Sequence, residues 1–143
     1  MGTWDVGPFG NDDAADFAFE LDDAPARTRI EIIGAVLERV ANPADDDPRL
    51  SDAPRAVAAA ALIAAQYPGG APIASVHGPT NPMPEFPAYL RDLAIDALDR
   101  VITTPTWLAE NWDATPDGPA WRQAISELRK VLDPPQRESL FDL

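Results

Sequence analysis

The chain has no cysteine, a single histidine and a single lysine. The missing cysteine excludes disulfides, thiolate metal sites and a cysteine nucleophile. His77 could serve as a base, but it stands in a loop beside Gly78 and Pro79 with no partner legible in the sequence. Lys130 is the one lysine among eleven basic residues, the rest being arginine, which we read as a compositional effect and not as chemistry. No apolar run approaches membrane-spanning length. No basic segment leads into an apolar stretch at the N-terminus, so no signal peptide is expected. Val6 occupies the position where a myristoylation motif requires Ser or Thr. The expected location is the cytoplasm. There is no glycine-rich phosphate loop, zinc-ligand spacing, Gly-x-Ser-x-Gly elbow or His-x-x-Glu pair, and we expect no cofactor. No internal repeat and no strand-like alternation is present.

What remains is acidic and helical. The 143 residues suit one domain, 1–143, with 45% hydrophobic content and a net charge of −13. That charge opposes binding to nucleic acid or an anionic membrane, favours solubility and leaves open a basic protein partner. Oligomeric state is not readable.

Apolar residues recur at helical spacing almost throughout. Asn11 can cap a first helix, with Asp12 and Asp13 in its first turn and Phe17 and Leu21 on one side. Pro25 opens a second helix to about Ala41, with Ile30, Ile33, Leu37 and Val40 facing inward. Ser51 or Asp52 can cap a third, whose middle reads "RAVAAAALIAAQY". Alanine favours helix and lets neighbours come close, so this helix should be central. A proline-rich loop spans 68–87, and Ile73, Val76, Met83 and Phe86 could pin it. A fourth helix runs from about Pro87 to Ile102. Thr104 can cap a short one ending near Trp112, and Asp117 a last one with Trp121, Ile125, Leu128 and Leu132 as its stripe. Residues 134–143 form a tail. The expectation is an all-α, single-domain bundle of five main helices plus one short helix.

The opening stretch is the most specific. "MGTW", "GPF" and "ND.A.DF" cover Met1 to Trp4, Gly7 to Phe9, and Asn11, Asp12, Ala14 and Asp16. Together they resemble an uncharacterised bacterial family of small helical domains of unknown function. The alanine-rich helix and "TWLAENWDA…AWRQAISELRKVL" extend the likeness. Asp5 departs from it, since family members usually carry glycine there. The resemblance implies a mainly helical fold and no activity. Physically, the opening reads as a packed N-terminal segment: Trp4 and Phe9 bury against the body, since each aromatic can bury ~150–250 Å².

Candidate sites are few. Asp12, Asp13 and Asp16 could gather around a divalent cation, though hard cations want a shaped oxygen cage and no second ligand cluster is evident. Asp45, Asp46 and Asp47, between Pro43 and Pro48, read as an acidic loop without calcium-loop spacing. Asp92, Asp96 and Asp99 share the outer face of the fourth helix. Trp107, Trp112 and Trp121 suit a core, and Trp112, at a helix end between Asn111 and Asp113, is the one expected to be exposed. The favoured function is a non-catalytic acidic module that binds a basic protein through Asp45 to Asp47, Asp92, Asp96, Asp99 and Trp112. An antidote or immunity protein for a basic toxin is one concrete form. The alternatives are a carboxylate-based, metal-dependent enzyme and a structural subunit of a larger assembly.

Overall fold

The computed structural model describes residues 7, 9–42, 52–70, 78–79, 83–103 and 107–133. Trp4, Asp45 to Asp47, His77, Ile73, Val76, Thr104 and residues 134–143 lie outside them, as do the side chains of Thr103 and Trp107. Among these described residues six helices follow in order: α1 (Asp12–Asp22), α2 (Ala26–Ala41), α3 (Ala53–Ala64), α4 (Ala88–Thr103), α5 (Trp107–Asp113) and α6 (Gly118–Leu132). No strand occurs among the described residues. The fold is the expected all-α bundle.

The helix starts show which sequence signals operate. The Asn11 side chain accepts a hydrogen bond from the Ala14 amide at 2.8 Å, satisfying one of the free donors at the start of α1. Asp52 and Asp117 occupy the cap positions of α3 and α6 but make no such bond. Asp52 is engaged elsewhere: its carboxylate accepts from Arg39 Nε at 2.6 Å, tying α3 to α2. Pro54 and Pro119 sit in the first turns of these two helices, where a missing N–H costs nothing.

α1 has no basic residue in its last turn. Arg29 of α2 supplies the complement, its Nε donating to the carbonyls of Leu21 and Ala24 at 2.9 Å each. Phe9 is 2% exposed, so its expected burial against the body holds; Trp4, the other ring expected inside, lies outside the described residues.

α3 is the centre. Of its residues only Arg55 escapes full burial. It packs against α1, α2, α4 and α6, while α5 rests on α4 and α6. The run Ala58 to Ala61 makes this possible, because a methyl side chain lets four neighbouring helices approach one axis. Larger residues fill the rim around it: Phe17 and Leu21 from α1, Ile33 and Leu37 from α2, Leu90 and Leu98 from α4, Ile125 and Leu132 from α6.

The chain leaves α3 through Gly69 and Gly70. Gly69 has φ +88°, a left-handed conformation that glycine enters freely. Gly70 lies so close to the helix end that a Cβ there would meet the Ala64 carbonyl oxygen. The turn therefore folds back onto α3, with the Gly70 amide donating to the Tyr67 carbonyl at 2.9 Å.

Candidate functional site

Two outward helix faces share one composition. On α1, Asp12, Asp16 and Phe19 are spaced i, i+4 and i+7 and all three are exposed. On α4, Tyr89, Asp92 and Asp96 are spaced i, i+3 and i+7 and are likewise exposed. Phe19 (71% exposed) and Tyr89 (58%) are the exposed large hydrophobic side chains among the described residues. Each has one carboxylate a turn away on the same face, Asp16 or Asp92, and a second two turns away, Asp12 or Asp96. The carboxylates were legible as helix-face patterns; the aromatics were not, because Phe19 and Tyr89 are types that ordinarily go inside.

The rest of the expected acidic stripe is altered. Asp99 is half-buried and held by Arg129 of α6, with Nε to Oδ1 at 2.6 Å and Nη2 to Oδ2 at 3.1 Å. This two-point pairing is the strong form of the interaction. The Asp99 hydrogen bond, foremost, holds the Arg129 guanidinium above its ordinary range, with Asp133 adding to it and burial opposing. Asp99 thus serves the α4–α6 contact, and the open stripe contracts to Asp92 and Asp96. Arg91 comes within 3.8 Å of Asp92, a loose approach on the surface.

Trp112 corrects the sequence reading. It is 8% exposed and stacks on Trp121, with centroids 6.2 Å apart. The position at a helix end suggested solvent, but α6 turns straight back over it. Gly118 lies close enough that a Cβ would come within 2.7 Å of the Trp112 carbonyl oxygen. The site set therefore loses Trp112 as an exposed residue, and the assembly reading loses that support.

Asp12, Asp13 and Asp16 are all exposed. Among the described residues no group of three or more His, Cys, Asp or Glu side chains is arranged to hold a metal ion. No helix there is long and apolar enough to cross a membrane.

The arginines mostly face their own fold. Arg55 pairs with Glu20 at 3.2 Å and lies 6.0 Å from the Phe17 ring centroid, fastening α3 to α1. Arg122 holds both Asp113 oxygens at 2.7 and 2.9 Å, reaches the Ile102 carbonyl at 3.2 Å, and lies 5.9 Å from the Trp121 ring centroid. Much of the positive charge is thereby spent on carboxylates between elements.

Comparison with known proteins adds one match. The family described as a domain of unknown function (DUF4259) covers residues 2–124. No curated protein matches the chain. No solved structure matches it either.

Proposed function

The chain belongs to that family of domains of unknown function, and from its surface we propose a non-catalytic module that binds a basic protein. One observation carries this reading: the exposed Phe19 and Tyr89 each share a helix face with two exposed carboxylates. An aromatic ring attracts a guanidinium or ammonium over its face; the carboxylate one turn away can pair with the same cation, and the one two turns away can hold a second basic side chain. Such a face suits Arg or Lys on a partner and disfavours a negatively charged one. The net charge of −13 supports the same choice, because it steers basic partners inward and repels nucleic acid. Asp45, Asp46 and Asp47 extend the acidic character in sequence. An antidote to a basic toxin is the most concrete form of such a module, and the cytoplasm its expected location.

The test is capture of host proteins on the immobilised chain at low and high salt. The expected partner is basic, is released by salt, and is lost when Tyr89→Ala is combined with Asp92→Asn and Asp96→Asn, or when Phe19→Ala is combined with Asp12→Asn and Asp16→Asn. A partner whose binding is indifferent to salt and to both sets would overturn the proposal. The enzyme alternative on Asp12, Asp13 and Asp16 draws no comparable support, since among the described residues these three gather into no metal-holding group.

A further inference from the structure

Gln66 follows α3 in a turn, and its side chain touches a segment twenty residues away. Its Nε2 donates to the Pro84 carbonyl at 2.8 Å, and its Oε1 accepts the Phe86 amide at 3.1 Å. One carboxamide thus satisfies a C=O and an N–H two residues apart, the pair that a neighbouring strand would otherwise engage. The segment needs such a partner. Pro84 and Pro87 lack N–H groups and cannot donate to a ladder or a helix interior, and residues 83–87 form neither here. Among the described residues these two are the hydrogen bonds that hold residues 83–86 to the bundle. Phe86 is buried, and Met83 packs partly buried against the core.

Neither flanking helix depends on this contact. The turn after α3 closes on itself, with Gln66, Tyr67 and Gly70 donating their amides to Ile63, Ala64 and Tyr67. α4 starts from its own side, the Leu90 amide donating to the Pro87 carbonyl at 3.1 Å. We propose that residues 83–86 form a latch, closed on the end of α3 by the Gln66 carboxamide and the Phe86 ring, that opens while the helices stay folded. Its opening bares the apolar seat of Phe86 together with the Gln66 carboxamide. Local openings of this kind occur where few contacts hold a segment and solvent reaches its hydrogen bonds.

Native-state hydrogen exchange tests it on the full chain. The Phe86 amide should exchange by a route insensitive to low denaturant and faster than the amides of Ile63 and Leu98. Gln66→Ala should speed Phe86 exchange by roughly tenfold, leaving Ile63 and Leu98 unchanged. Gln66→Glu keeps an acceptor for the Phe86 amide but faces the Pro84 carbonyl with a second acceptor, so it should act in the same direction. Exchange of Phe86 only together with Ile63 and Leu98, at global unfolding, would overturn the latch. So would Gln66 variants that leave Phe86 exchange untouched.

Discussion

Trp112 and Trp121 stack with their ring planes only 9° apart and their centroids 6.2 Å apart. One ring comes from the end of α5 and the other from the first turns of α6, so the stack closes the corner between them. Removing either ring should be costly. Trp121→Ala and Trp112→Ala should each lose about 3–5 kcal/mol, the usual range for an emptied aromatic site. The two losses should not add, because both delete the same contact. Urea titrations of the single and double variants measure this directly.

The same corner has an acid-sensitive tie. The hydrogen bond from Arg122, foremost, together with its charge, holds the Asp113 carboxyl below the ordinary aspartate range, against a smaller opposing effect of desolvation. Arg122 is raised in return. A carboxylate with a lowered folded pKa contributes stability that is present above the unfolded value and lost as pH falls through the folded one. The advantage of the native chain over Asp113→Asn should therefore be constant near neutrality. It should shrink below about pH 4, where an unfolded aspartate takes up its proton. Thermal melts of both chains across that range check the sign.

Gly34 and Gly70 should respond oppositely to alanine. A Cβ on Gly34, inside α2, would meet Leu90 Cδ2 at 3.5 Å, an ordinary contact. Gly34→Ala should stabilise by about 0.5–1 kcal/mol through helix propensity. A Cβ on Gly70 would sit 1.8 Å from the Ala64 carbonyl oxygen, so Gly70→Ala must displace backbone. It should cost several times what the first gains. Gly69→Ala should fall between, about 1–2 kcal/mol destabilising, because its φ of +88° is strained for alanine although space is open. Denaturation midpoints rank the three.

Enlarging the centre should also be costly. Ala59→Leu or Ala60→Leu places extra carbons where both residues are fully enclosed. A cost of about 1–3 kcal/mol or more follows from overpacking. Calorimetry of each variant should show a lowered melting temperature.

The helices were readable because their apolar residues repeat at intervals that put them on one side. α1, α2 and α6 announced their inner faces through Phe17, Ile33 and Trp121, all of which are buried. The centrality of α3 was readable from alanine alone. Cap positions were readable, cap bonds less so: Asn11 caps, Asp52 pairs instead with Arg39, thirteen residues away, and Asp117 makes no capping bond. Pairings across the fold left no local trace. Nothing adjacent in sequence marks Arg129 for Asp99, or Gln66 for Pro84 and Phe86. The burial of Trp112 failed for the same reason, since it depends on how tightly Gly118 lets α6 approach. The acidic residues of α4 were visible, but the exposed Phe19 and Tyr89 beside such residues were not, because composition assigns aromatics to the interior.

A bundle whose axis is lined with methyl groups has an uneven tolerance for change. At Ala58 to Ala61 the side chain is already near the minimum, so almost every substitution is an addition, and each addition wedges apart several helices at once. Positions around the rim can trade one aliphatic for another with local adjustment. The hub cannot. Divergence within such a scaffold is therefore channelled to its periphery, where new recognition can arise without disturbing the axle on which the helices turn.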